Sequence, residues 1–476
     1  MKLAKESILY KAVQNVIALL AIFVFSGASS LQTLNITAIL AVGFLFITTI
    51  SLSLGWQYLV WKNYFYFIEK EGVKIKHGVV RKNQREIPLR RIQNVDITRN
   101  IVHRILGIAE INLETAGGGS TEASLKFVNL EEARNIQQKV RELKKEEKPE
   151  KTDEAEEGRT LLFELQTKEL GLLCLTSVNG KAIAGLFAVL GLGGGFIGSQ
   201  VEGLGLETAA ASLFLLFAAV IFTWIGSAVT QFLQYFDFKL YRIDDSLEYE
   251  RGLLNRSEGS IPLGKIQKLT IEENPLKRAI GYSTLKIETA GYSAEQSVEQ
   301  GPESAIPIAR RKRVIEFTHM IEEFEDLNLQ SIPKRARRRY FGRYAIASTL
   351  LLGLGIGADQ FIGFNYPALV LLYPLSAVAA HLKWVNAGYG RGDSHFFTMK
   401  GFWNRQTMIV PYYRIQNLIE SQTVLQRRWN LSSLTLDIAG TSAFQKDALA
   451  EDIDTEEASR LREETFNAFK KSLLNL

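Results

Sequence analysis

The sequence predicts an α+β membrane protein: three transmembrane helix hairpins, six helices in all, each followed by a small antiparallel β module closed by a C-terminal helix. Two observations carry this expectation. A stretch running from Pro88 to Gly117 recurs twice without a gap, and the apolar runs of the chain come in pairs, one pair ahead of each copy. Three copies in one frame are read as three homologous domains, and their spacing of 174 and 149 residues is too long for a solenoid.

The repeat is defined by a few positions. Pro88, Pro262 and Pro411 stand five residues before Gln93, Gln267 and Gln416. Ile92, Ile266 and Ile415 precede the glutamines, and a cation precedes each isoleucine. Arg104, Arg278 and Arg427 follow the glutamines by eleven residues, and Gly117, Gly291 and Gly440 follow by twenty-four. Gly78, Gly252 and Gly401 lie ten residues before the prolines and predict turns. The last third of each copy alternates with period two, as a half-buried strand does. Its inward sets are Ala109, Ile111, Leu113 and Thr115, then Ser283, Leu285, Ile287 and Thr289, then Ser432, Leu434, Leu436 and Ile438. The prolines suit a strand edge or a strand start, where no ladder donor is missed. An amphipathic helix closes each copy, over 130–145, 310–324 and 455–474. The third has an acidic first turn made by Glu451, Asp452, Asp454, Glu456 and Glu457.

In chain order the expected organisation is a transmembrane hairpin over 1–62, a module over 63–145 and a charged linker over 146–164. An interfacial segment with the second hairpin follows over 165–235, then a module over 236–327 and a basic linker over 328–343. The third hairpin occupies 344–389 and the third module 390–476. The apolar runs are 12–29 and 36–61, 182–199 and 209–233, and 345–363 and 366–384. Each is about long enough for a ~30 Å hydrocarbon core. Gly191 to Gly198 lies inside such a run and lacks the Lys-Ser/Thr of a phosphate loop; it reads as close helix packing, with a helix break lining a cavity as the alternative. Trp61 and Trp384 suit an interfacial belt. An even number of spans precedes every module, so all three modules lie on one side. The loops within the hairpins lack Lys and Arg while the opposite flanks are rich in them, so that side is cytoplasmic and the protein is a multi-pass protein of the cell membrane.

The residues do not point to catalysis. The single Cys174 and five scattered His residues build no metal cluster, and no Ser-His-Asp set or carboxylate pair recurs with the repeats. No catalytic residue, metal or cofactor is therefore expected. Two surfaces are candidate anionic-lipid contacts. One is Lys74, Lys76, Arg81, Lys82, Arg85, Arg90 and Arg91; the other is Lys334, Arg335, Arg337, Arg338, Arg339 and Arg343 beside a span. For the recurring Gln and Arg, one reading is a shared ligand contact. The other is a Gln bonded to backbone in a turn and an Arg capping a helix or lying over the barrel.

The Pro-x-x-Arg/Lys-Ile-Gln step, the Arg eleven residues beyond and the Glu-Thr-Ala-Gly strand end resemble the bacterial pleckstrin-homology (PH) domain family of the membrane-flanked type. The resemblance covers essentially the whole chain. Copy three departs most, with Asn430 for Gly107 and Gly281, and Asp437-Ile-Ala-Gly at the strand end. The resemblance implies a PH-like fold, a partly open barrel of about seven strands capped by one helix, and no catalysis; such folds bind lipid headgroups, peptides or each other. It also implies membrane association, a link to envelope stress or antimicrobial-peptide resistance, and pairing with a shorter membrane protein of the same family. The expected function is a non-enzymatic scaffold for a protein partner. Anionic-lipid recognition is the alternative and transport a weaker one; the expected partners are membrane lipids and a protein, not nucleic acid.

Overall fold

In the computed structural model each repeat turns at its proline from one group of three antiparallel strands into another. The structure describes residues 2–8, 11, 36–69, 71–115, 123–147, 159–177, 205–289, 304–362, 366–439 and 448–474. The chain divides into two compact units, one of Met1–Arg159 with Glu248–Ser260, the other of Thr160–Leu247 with Ile261–Leu476.

In the first unit, β1 (Phe65–Glu69), β2 (Gly72–His77) and β3 (Asn83–Pro88) form a meander. A 3-10 turn, Leu89–Arg91, leads into β4 (Ile92–Arg99), followed by a short helix (Ile101–Ile105), β5 (Ile108–Thr115) and β6 (Ala123–Asn129). Helix Leu130–Glu147 closes the module. The period-two reading holds: Ala109, Ile111 and Leu113 of β5 are fully buried. They meet Tyr66, Val73, Ile75 and Ile87 from the first three strands and Ala133, Ile136 and Val140 from the helix. Each large apolar side chain so buried contributes about 1.5–3 kcal/mol. The turn at Gly78 needs glycine: φ is +125°, and a Cβ would meet the Arg81 carbonyl oxygen at 1.9 Å.

The second unit holds most of modules two and three. β7 (Thr160–Glu164) and β8 (Lys239–Ile243) pair antiparallel. β9 (Ser246–Arg251) and β10 (Arg256–Pro262) supply the hairpin 248–260 that belongs to the first unit. Then come β11 (Ile266–Glu273), β12 (Tyr282–Thr289) and β13 (Ser304–Arg310), with helix Arg311–Ile321. Module three has β14 (Gln330–Ser331), β15 (Gly388–Arg391), β16 (His395–Lys400), β17 (Arg405–Pro411), β18 (Ile415–Ser421), β19 (Leu431–Ile438), β20 (Ala448–Asp454) and helix Thr455–Leu474. A seven-stranded sheet runs β13-β12-β11-β17-β16-β15-β14, and β18-β19-β20 form a smaller one. All four inward residues of β12, and all four of β19, are buried.

The structure redraws several boundaries. Modules two and three take a first strand from earlier in the chain, where β7 pairs β8 and β14 pairs β15; in module one an isolated bridge joins Lys2 to Phe65. The residues between β7 and β8, and between β14 and β15, are thus insertions after strand one, which gives modules two and three seven strands each. Trp61 donates to the Leu3 carbonyl at 2.8 Å, Trp224 to Leu175 at 3.1 Å and Trp384 to Pro333 at 3.2 Å, tying helices to these leading segments. The basic linker expected over 328–343 is helical from Lys334, because its Lys, Arg and Ala residues are good helix formers. The charged linker expected over 146–164 ends in β7. The expected interfacial segment is helix Thr167–Thr176, which buries Leu170 and Leu173. Glu451, Asp452 and Asp454 lie on β20, so Glu456 and Glu457 are the carboxylates of the last helix's first turn.

Among the described residues two helical stretches, Phe217–Tyr235 and Lys334–Gln360, are long and apolar enough to cross a membrane. The apolar part of the latter helix, 345–362, spans about 27 Å. It packs on Leu372–Val385 through Ser348 with Ser376, and Thr349 with Tyr373, both at 2.8 Å, while Leu350, Leu354 and Leu375 face outward. The last run opens as a 3-10 segment, Tyr366–Leu371, that contains Pro367. Ile36–Lys62 is also helical. The runs 12–29 and 182–199, with the glycine cluster 191–198, lie outside the described residues, so six spans are not established.

Candidate interaction interface at the repeat joints

The recurring proline closes strand three rather than opening a strand: Pro88, Pro262 and Pro411 end β3, β10 and β17, with φ of −60°, −64° and −64°. A 3-10 turn follows each, and Ile92, Ile266 and Ile415 enter the core at the first residue of strand four. The register of strand four against strand five slips between Ile92 and Asn94, Ile266 and Lys268, and Ile415 and Asn417. The recurring glutamine is therefore the extra residue of a β-bulge in all three copies. Gln267 is buried and donates to the Lys265 carbonyl at 3.2 Å, while Gln416 is exposed. The side chains of Gln93 and Arg90, and residues Gly117, Gly291 and Gly440, lie outside the described residues.

Strand four then meets the strand three of the next module. In the first unit β10 pairs antiparallel with β4, Arg256 opposite Arg99, Ser257 opposite Thr98 and Glu258 opposite Ile97. In the second unit β17 pairs with β11, Glu273 opposite Arg405, Glu272 opposite Gln406, Ile271 opposite Thr407, and on to Leu269 opposite Ile409. Counted from the prolines and glutamines, the two registers are identical. The sequence marked this edge only by the recurring Ile-Gln step at the start of strand four; nothing in it marked which strand would sit alongside.

Charges cement both joints. Glu258 accepts from Arg99 at 3.0 Å and lies 3.5 Å from Arg134 and 3.7 Å from Arg256, which offsets the two arginines set opposite each other. Gly259 allows the approach: a Cβ there would stand 2.6 Å from Asp96 Oδ1. At the second joint Arg405 donates to the buried Glu273 at 2.9 Å, and Arg311 adds a contact at 3.3 Å. Glu272 accepts from Lys286 at 2.7 Å and from Asn404 and Gln406 at 3.1 Å. Burial pushes the Glu272 carboxyl up, but Lys286 and Gln406 outweigh it and hold the group below its usual range. Burial pushes the Lys277 ammonium down to about 8.

The recurring arginine reaches across each joint. Arg104 donates to the Leu253 carbonyl at 2.8 Å. Arg278 donates to Asn386 Oδ1 at 2.7 Å, and Asn386 donates in turn to the Phe402 carbonyl at 3.3 Å. Leu253 and Phe402 stand at the same repeat position, nine residues before the proline. Arg414, before Ile415, reaches back to the Gly264 carbonyl at 2.6 Å. The third arginine, Arg427, is exposed.

The basic candidates split. Lys76, Arg81, Lys82, Arg85 and Arg91 are exposed, while Lys74 pairs with Glu69 at 2.8 Å. Lys334, Arg337 and Arg338 are exposed on the helix that starts the third hairpin. Its other cations turn to β20: Arg335 to Asp454, Arg339 to the fully buried Asp452, and Arg343 to Glu451 at 3.8 Å.

A family model described as "Bacterial PH domain" matches residues 15–144, 187–324 and 346–468. The chain belongs to the bacterial PH domain family. Each match to this family takes in apolar residues ahead of the strands as well as the strands themselves. The chain is also similar to the UPF0699 transmembrane protein YdbT of Bacillus subtilis (strain 168), with 26% identity across 94% of this chain and 93% of the relative. No solved structure matches the chain. The protein is thus a membrane protein carrying three bacterial PH domains.

Proposed function

We propose that this protein is a non-enzymatic scaffold of the cell membrane that holds three PH-like domains on the cytoplasmic face for a protein partner, in envelope stress or antimicrobial-peptide resistance. A shorter membrane protein of the same family is a fitting partner. The observation that carries the reading is the joint. In this chain the PH-like fold binds its neighbour through backbone edges and a few charged side chains, which is a protein-recognition mode. Six helices in three hairpins would anchor the array. The lipid reading draws less support, because Arg335, Arg339 and Arg343 are held by carboxylates of β20.

The test is purification of the full-length protein in native nanodiscs, with mass spectrometry of proteins and lipids. A stoichiometric protein partner is expected, with lipid composition unchanged when Lys334, Arg337 and Arg338 become Gln. Enrichment of an anionic lipid that those substitutions abolish, with no partner, would overturn the scaffold in favour of lipid recognition.

A further inference from the structure

Two joints of one design leave two ends of that design unused. Strand four of module one holds strand three of module two, and strand four of module two holds strand three of module three, in the same register. Strand four of module three is β18, and strand three of module one is β3. Among the described residues β18 pairs only with β19, and β3 only with β2. Their surfaces differ from those of the occupied edges. Seven of the eight residues of β11 are buried, as are five of the seven of β17. In β18 Gln416, Asn417, Ile419 and Ser421 are exposed; in β3 the run Asn83, Gln84, Arg85 and Glu86 is exposed. Ile419 is 50% exposed, an apolar side chain on an open strand edge. Such edges pair readily with another chain.

We infer that copies of this protein associate head to tail, β18 of one copy adding to β3 of the next in the register of the two internal joints. The inference goes beyond the scaffold reading and does not depend on it. A second copy is the occupant because one chain carries both halves of the joint, the strand-four edge in module three and the strand-three edge in module one. Carrying the internal register over sets Ile419 opposite Arg85, Glu420 opposite Gln84 and Ser421 opposite Asn83. Glu420, which Arg462 of the last helix holds at 3.2 Å, stands on the other face of the strand from Ile419 and Arg85. Arg85 supplies the arginine of the kind of cross-strand contact seen in the second internal joint, where Glu273 meets Arg405. The recurring arginine argues the same way. Arg104 and Arg278 reach the turn nine residues before the next module's proline. Arg427 keeps that position, exposed, in module three; its counterpart in a second copy is the turn at Val79, beside Val80, which is 88% exposed. A head-to-tail contact of this type is heterologous and extends to a ring or a row.

The test uses full-length protein in native membranes, with Cys174→Ser as background. Two differently tagged chains are co-expressed, one with Asn83→Cys and one with Ser421→Cys. Oxidation should join them, and a chain carrying both cysteines should give a ladder. Pairing Ser421→Cys with Lys76→Cys, on the neighbouring strand, should give little. Ile419→Lys sets a cation opposite Arg85 and should cut the disulfide at least tenfold; Ile419→Glu should retain it. Adding Arg85→Glu to the Asn83→Cys chain should restore the Ile419→Lys yield, showing that the variant is folded. A disulfide formed only within one chain, no disulfide from a wild-type protein of single-chain mass in nanodiscs, or a yield indifferent to Ile419→Lys would each overturn the inference.

Discussion

At the scale of residues, the third repeat shows how a departure from a pattern keeps the geometry. Gly107 and Gly281 have φ of +67° and +74°, and Asn430, which replaces them, has φ of +50°. Asn is among the few residues that enter this region at low cost, so the turn before strand five survives the change. The charge at Lys277 is a different matter. Its ammonium is buried and donates to Thr284 Oγ1 at 2.6 Å, and burial outweighs the attraction of Glu272 to hold its pKa at about 8, below the ordinary 10.5. Between these values the unfolded chain binds a proton that the folded chain does not. Stability therefore rises with pH across that window, and the cost is fully present below it. Lys277→Met should raise stability at pH 7 by roughly 1–3 kcal/mol and flatten this rise. Thermal midpoints of the full-length protein from pH 7 to 10 check it; equal slopes for both proteins would reject the assignment.

At the scale of elements, the helix that opens the third hairpin does two jobs. Its first turns carry Arg335, Arg339 and Arg343 against β20, and its later turns are apolar. Arg339 is 5% exposed and Asp452 is fully buried, with Gln426 also donating to Asp452 at 2.7 Å. Breaking a buried pair from one side strands a charge. Arg339→Met should cost about 3–5 kcal/mol, and adding Asp452→Asn should recover most of it, because Asn is uncharged and accepts the positive φ of +61° at that position. The check is a double-mutant cycle on thermal midpoint or denaturant midpoint; additive losses would show that the two side chains do not act as a pair.

At the scale of the whole molecule, one recurring residue has two different fates. Arg278 sits in a joint, and its loss leaves the oxygen of Asn386, a residue 1% exposed, without this donor. Arg278→Ala should destabilise the full-length protein by about 1–2 kcal/mol. Arg427→Ala alters an exposed side chain and should stay within about 0.5 kcal/mol in a single chain. Comparing thermal midpoints in dilute detergent distinguishes them; equal losses would mean that the arginine supports its own module rather than the next one.

Much of the fold was legible in the chain because its signals are local. The period of two in Ala109, Ile111 and Leu113 reports a strand with one buried face, whatever lies beyond it. The glycines at 78, 252 and 401 mark turns because no other residue fits their backbone. The paired apolar runs and the proline-isoleucine-glutamine step told of three copies of a membrane-flanked domain. What the sequence could not display is pairing across long distances. In modules two and three strand one stands far from its partner along the chain, as β7 does from β8, and β14 is only Gln330–Ser331, too short for periodicity to register. The glutamine's place in a bulge depends on the partner strand's register. The joints join residues such as Glu273 and Arg405, 132 positions apart, through backbone hydrogen bonds that any residue except proline can make. An edge strand's neighbour is chosen by shape and register in three dimensions, so composition and spacing determined the modules, and only the tertiary structure decided which strand each one holds.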